Sequence, residues 1–208
     1  MAEHVILFTG PMGAGKTTAI QSLSEIEVVR TEANNSERHI VDKETTTVAL
    51  DYGEILVDRD EKVRLYGIPG QQRFNFMWTI LKKRAKGMIL LVNSDAPDPI
   101  GEMTFFLDEF RELYDRGGVV IGITRADVVA GPTLAQFAEA LERTNPGLLI
   151  PVFTVDPRER DQMVNVLLSL IANIEMRAMF GMKAPVRRGD YTERPRSHAA
   201  GRRSNDAL

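Results

Sequence analysis

The chain has 208 residues, 43% hydrophobic and 26% charged, with a formal net charge of −3; that is enough for one α/β domain with a real core and some excess. It contains no cysteine, which excludes disulfides, thiolate metal sites, thiol catalysis and cysteine lipidation. Charge is uneven, since from Gly181 onward seven basic residues stand against three acids, and an acidic body with an arginine-rich tail argues against a nucleic-acid-binding domain. Met1-Ala2-Glu3-His4 lacks a basic leader, and no apolar stretch approaches the roughly 20 residues that span a bilayer. We therefore expect a soluble, cytoplasmic protein without an integral membrane segment.

His4 to Thr9 reads as a short apolar strand. Gly10-Pro11-Met12-Gly13-Ala14-Gly15-Lys16-Thr17 follows and meets the pattern G-x-x-x-x-G-K-[ST] at every fixed position. Thr18 to Leu23 continues as a helix. A strand, a glycine-rich turn and a helix start make a nest of backbone N–H groups at a positive helix end, suited to a polyphosphate. Lys16 would reach the β- and γ-phosphates, and the Thr17 hydroxyl would bind Mg²⁺.

From Arg30 to Glu44 runs a long polar stretch without a period, of the kind that is usually functional inside a compact domain. Thr47 to Val57 and Lys62 to Tyr66 read as a β-hairpin around Asp58-Arg59-Asp60-Glu61. Leu65 to Arg73 leads into a helix over Phe74 to Arg84. Gly87 to Val92 is a continuous apolar run, as expected of a strand buried on both faces. Gly101 to Asp115 reads as a helix, with Met103, Phe106, Leu107, Phe110 and Leu113 at helical spacing.

Gly118 to Ile123 is another buried strand, followed by Thr124-Arg125-Ala126-Asp127. Pro132 fits the first turn of a helix running to about Arg143. Leu148 to Phe153 reads as the last strand, ahead of Thr154-Val155-Asp156. Arg160 to Phe180 is a long amphipathic helix. The alternation predicts a mostly parallel six-stranded sheet with helices on both faces, over residues 1–180. Residues 181–208 are rich in Gly, Pro, Ser and Arg, and are expected to lack a packed structure.

Over about residues 4 to 180 the chain resembles the Ras-like small GTPases. The resemblance rests on the phosphate loop, on Gly67-Ile68-Pro69-Gly70-Gln71 against the family's D-x-x-G-Q, and on Thr124-Arg125-Ala126-Asp127 against its N-K-x-D or T-K-x-D. It implies a P-loop NTPase fold, the small G-domain, with GTP or GDP as ligand and Mg²⁺ as cofactor. The loop from Gly10 through Met12, Gly13, Ala14, Gly15, Lys16 and Thr17 to Thr18 would wrap the phosphates. Gly70 would give an N–H to the γ-phosphate, and Gln71 would orient the attacking water. Thr47, chosen over Thr46, would join Thr17 on the metal. Arg73 is a candidate charge for the transition state.

The same resemblance assigns the base to Thr124, Arg125 and Asp127. Asp127 accepts from guanine N1–H and N2–H₂, a pair of donors that adenine lacks, while Arg125 lays its stem or guanidinium plane on the ring. The Val155 backbone N–H would meet guanine O6. One departure stands out: Gly67 occupies the place of the family's aspartate, which acts on Mg²⁺ through water. Its loss weakens metal binding or shifts the job to another acid.

The runs T-T-V-A-L-D-Y-G, L-Y-G-I-P-G-Q-x-R-F and F-M-W narrow the resemblance to bacterial small GTPases of the gliding-motility polarity and conservon types. That implies a slow GTP-hydrolysing switch in polarity, motility or signalling. Its partners would be a roadblock/LC7-type regulator and effector proteins. Two alternatives stand beside it: a GTP-binding scaffold with negligible hydrolysis, and an ATP-dependent small-molecule kinase. The tail is either a solvated end or a peripheral contact for an anionic membrane face.

Overall fold

The computed structural model describes residues 2–30, 50–58, 61–71, 75–128, 131–144, 146–147 and 149–180. Its elements in chain order are β1 (Ala2–Thr9), α1 (Lys16–Leu23), β2 (Val29–Arg30), β3 (Asp51–Asp58), β4 (Glu61–Gly67), α2 (Asn75–Arg84) and β5 (Gly87–Asn93). There follow α3 (Pro99–Glu109), α4 (Arg111–Asp115), β6 (Val119–Thr124), α5 (Leu134–Thr144), β7 (Val152–Thr154) and α6 (Arg160–Phe180). The strands form one sheet in the order β2-β3-β4-β1-β5-β6-β7. Its four pairings from β4 through β7 are parallel, while β2–β3 and β3–β4 are antiparallel.

The architecture is the expected α/β sheet with one strand more. The addition is β2, two residues that pair Val29 with Tyr52 and Arg30 with Asp51; so short a strand leaves no alternation to read. The last strand begins later than its apolar run, at Val152. Pro151 has no N–H for a ladder, although its carbonyl accepts from Ile121 N at 3.0 Å. The single helix expected over 101–115 starts earlier and is broken. Asp98 caps it through Gly101 N at 2.9 Å with Pro99 in the first turn, and Phe110 leaves helical geometry at φ −104°, ψ 32°. Pro132 lies outside α5, whose start is held by Thr133 Oγ1 accepting from Gln136 N at 3.3 Å.

Alternate residues of each central strand enter opposite cores, as the period of two requires. Leu7, Leu90, Val92 and Ile121 face α3, α4 and α5, packing with Phe106, Phe110 and Phe137. Ile6, Phe8, Ile89 and Leu91 face α1 and α6, packing with Ile20, Leu23, Met163, Val166 and Leu170. Each such side chain contributes about 1.5–3 kcal/mol on burial. The five apolar residues 103, 106, 107, 110 and 113, read from their spacing, are all in the first core.

The expectation that no stretch reaches bilayer-spanning length needs correction. By length and composition α6, with 21 residues, passes that test. Here it lies against the sheet through Met163, Val166, Leu167 and Leu170, while much of its outward face is also apolar.

Candidate functional site

β1 ends at Thr9 and the chain turns through Gly10, Gly13 and Gly15 at φ 131°, 81° and 89°. These left-handed angles favour glycine over any residue with a Cβ. Gly15 opens α1 as its N-cap without a side-chain cap, so the first-turn N–H groups of Lys16, Thr17 and Thr18 have no capping side chain. The helix end is thus left open to an anion. Lys16 Nζ folds back onto the loop and donates to Gly10 O at 2.9 Å and Pro11 O at 2.7 Å. Burial lowers its ammonium to about 8, against the opposing pull of the Asp51 carboxylate.

Asp51 is the residue that motif reading did not single out. The β3–β4 register sets it directly across from Gly67, and Thr17 Oγ1 donates to its Oδ2 in a short hydrogen bond. A Cβ added at Gly67 would lie 3.0 Å from both Asp51 Cβ and Asp51 Oδ2. The glycine therefore makes room for an acid on the neighbouring strand. The hairpin alone does not reveal it: Asp58 pairs with Glu61 but Leu56 with Lys62, so a bulge shifts the count back from the turn by one residue before Asp51 meets Gly67.

Gly70 approaches the loop so closely that a Cβ there would collide with Gly10 O at 2.1 Å. Gln71 rests on the loop tip, its Nε2 donating to Met12 Sδ at 3.5 Å. Trp78 sets this segment from α2: its indole N–H donates to Pro69 O at 3.0 Å, and its buried ring packs against Phe105, Phe106 and Phe110. Thr47 and Arg73 lie outside the described residues, as do the polar stretch beyond Arg30, within 31–49, and the tail 181–208.

On the other side of the loop opens a cleft of about 870 Å³. Its walls are Gly13, Ala14, Gly15 and Thr18 of the loop and helix, Thr124 to Val128 after β6, and Thr154 to Glu159 with Gln162 after β7. Thr124 is buried and donates to Asn93 Oδ1 at 3.0 Å. Arg125 takes φ 58°, an uncommon angle for a side-chain-bearing residue. Its guanidinium bridges Asp95 Oδ2 at 3.0 Å and Gly13 O at 3.5 Å, tying the cleft's far wall to the loop. Asp127 is exposed at the cleft wall.

Val155 lines the cleft, but its N–H does not face it. That N–H donates to Ile123 O at 2.9 Å, so the expected contact with guanine O6 is corrected. The next N–H, of Asp156, donates to Gln162 Oε1 at 2.9 Å. Asp156 and Arg158 form an exposed ion pair at 2.6 Å, and the guanidinium's hydrogen bonds hold the Asp156 carboxyl down at about 2. Motif reading reaches only Asp156 of this wall, as the end of Thr154-Val155-Asp156; Pro157 and Arg158 match no base-binding pattern. Pro157 also packs on the loop: a Cβ at Gly15 would meet Pro157 Cγ at 2.7 Å.

No family model matches the chain. An uncharacterized protein of Methanocaldococcus jannaschii is 26% identical over 169 residues, which cover 80% of this chain and 96% of that protein. Intraflagellar transport protein 22 of Chlamydomonas reinhardtii is 24% identical over 128 residues, 59% of this chain and 64% of its own length. Both are distant likenesses.

Proposed function

We propose that this chain binds GTP with Mg²⁺, hydrolyses it to GDP and phosphate, and changes its protein contacts with nucleotide state. One observation carries the reading: the Thr17–Asp51 pair stands at an open helix start behind a glycine loop whose other side is the wall of the Thr124–Asp127 cleft. Phosphate, metal and base functions would then share one loop.

A hydroxyl and a carboxylate meeting at hydrogen-bond range are hard oxygen ligands of the kind Mg²⁺ takes beside its waters. Thr17 and Asp51 would hold the ion, with Thr47 as the further oxygen that the resemblance implies. When bound, it supplies charge neutralisation on the β- and γ-phosphate oxygens. The chain's own groups do the rest. Lys16 trades its loop carbonyls for phosphate oxygens, Gly70 offers its N–H at the loop mouth, and Gln71 orients water. Asp127 selects guanine.

The likeness to an intraflagellar transport protein is consistent with a role in transport, and a cytoplasmic place for the chain is part of the proposal. A roadblock/LC7-type regulator and effector proteins are the proposed partners, in a bacterial polarity, motility or signalling process. A second reading, GTP holding with negligible hydrolysis, is favoured by a single contact: the Gln71 amide is engaged on Met12.

The test is to identify the nucleotide that co-purifies, compare GTP with ATP in competition, and follow single-turnover hydrolysis with and without a roadblock-type protein. We expect GTP to be preferred by at least about 100-fold, because a site that pairs two donors rejects a ligand lacking them. Asp127→Asn should erase that preference. Equal affinity for ATP sinks the guanine assignment. Hydrolysis by Gln71→Ala at the native rate, with the partner present, sinks the role of Gln71.

A further inference from the structure

The end of the molecule remote from the glycine loop carries an apolar tip and a set of basic side chains. α6 starts beside the loop end of the sheet and runs back along β5 and β6. Ile174 touches the start of β5 at Gly87. Beyond it the helix continues through six more residues to Phe180, about 9 Å at 1.5 Å per residue. On this projecting part Met176, Met179 and Phe180 are 49%, 83% and 73% exposed. An isolated exposed apolar residue needs no explanation, but three on one projecting helix end make a patch.

Basic side chains lie at the same end of the sheet as that tip. Lys86 immediately precedes Gly87, and α2 ends just before it on Lys83 and Arg84. All three are exposed and make no ion pair among the described residues. On the other flank Arg177 lies against Gly117, next to the exposed Arg116. Among the described residues Glu109, Glu112 and Glu175 stand at this end without an ion pair, while Asp115 is held by Arg111. The sequence after Phe180 adds seven basic residues against three acids.

We propose that this end is a docking surface for an anionic lipid bilayer. Met176, Met179 and Phe180 would enter the boundary between headgroups and acyl chains, with Lys83, Lys86 and Arg116 over lipid phosphates. The charge argument selects the occupant. Apolar side chains at the same end as lysine and arginine match a surface that is apolar beneath a layer of negative charge. The glycine loop and cleft, at the opposite ends of the strands, would stay open to nucleotide and protein partners. The proposal does not depend on which nucleotide the cleft holds.

The test is co-sedimentation of the full chain with phosphatidylserine-containing vesicles and with neutral phosphatidylcholine vesicles. Pelleting is expected with the anionic vesicles only, and should fall as salt rises. Lys83→Glu with Lys86→Glu should cut the bound fraction about tenfold. Met176→Ser with Met179→Ser and Phe180→Ser should cut it about fivefold. Leu149→Ser, at an 85% exposed position elsewhere, should pellet as the native chain does. The charge variant leaves both cores untouched, so it reads out even where the apolar variant folds poorly. Equal pelleting with neutral vesicles, native pelleting by both variants, or release of the protein by RNA in place of salt would each overturn the proposal.

Discussion

Asp51 changes what Gly67 means. Seen alone, a glycine in place of an acid says that the metal is poorly held. Seen across the β3–β4 ladder, it is the space that lets Asp51 reach Thr17. Asp51→Asn should therefore weaken Mg²⁺-dependent GDP binding by about 10–100-fold, while nucleotide affinity measured in chelator changes little. Gly67→Asp should not rescue it, because the added side chain meets Asp51 at 3.0 Å and should cost about 1–3 kcal/mol in thermal or urea unfolding. Lys16 supplies a pH signature. Its ammonium is lowered to about 8 by burial, and a polyphosphate favours the charged form. Above pH 8 binding must then take up a proton and weakens as pH rises, by up to about tenfold for each pH unit. The ligand-free fold has the opposite slope, gaining stability from pH 8 towards the ordinary lysine value of 10.5. GDP titrations between pH 7 and pH 9 check the first slope, and Lys16→Gln should flatten it.

At the scale of elements, α2 and α3 control the segment over the loop. Trp78 is held in an aromatic cluster of α3 and the adjoining turn, and holds the Pro69 carbonyl. Trp78→Phe keeps an aromatic ring in the cluster and removes the donor together with part of the indole. It should cost about 1 kcal/mol of stability and slow single-turnover hydrolysis several-fold with GDP affinity unchanged; loss of GDP affinity instead would make Trp78 a plain packing residue. Most of the elements were legible in the sequence because their periods are unambiguous: α6 occupies the expected residues 160–180, and β5 extends its expected run by a single residue. The errors have local causes. Asp98-Pro99 starts α3 before its apolar stripe does, and Pro151 delays the last ladder. The loop half of the site was legible because its glycines obey backbone angles that only sequence spacing can encode. Asp51 was not, since it acts through Thr17, far away in sequence and brought near by strand register; Asp156 and Gln162 have close partners in sequence, Arg158 and the Asp156 N–H, but match no base-binding pattern.

For the whole molecule, ligand and stability are linked. If the cleft and loop bind one nucleotide, free GDP with Mg²⁺ at about 100 times its dissociation constant should stabilise the fold by about 2.7 kcal/mol. For a chain of this length that is a rise of about 5–10 °C in Tm, whereas ATP should leave Tm unchanged. A scan across nucleotides in one thermal-shift plate checks this, and an equal rise with ATP counts against guanine selection.

The β3–β4 register has a last consequence. Asp51, Gly53 and Ile55 point to the α1 side of the sheet, with Gly53 and Ile55 buried there, while Tyr52 pairs its ring with Tyr66. Strand parity alone decides which set faces α1. A single residue inserted within β3 between Asp51 and Gly53 would turn the carboxylate away from Thr17 while leaving the phosphate loop, Gly67–Gln71 and Thr124–Asp127 untouched. The hairpin thus acts as a combination lock for the metal, and a homologous chain with the phosphate loop and base-side motifs intact but the wrong strand parity would hold nucleotide without it.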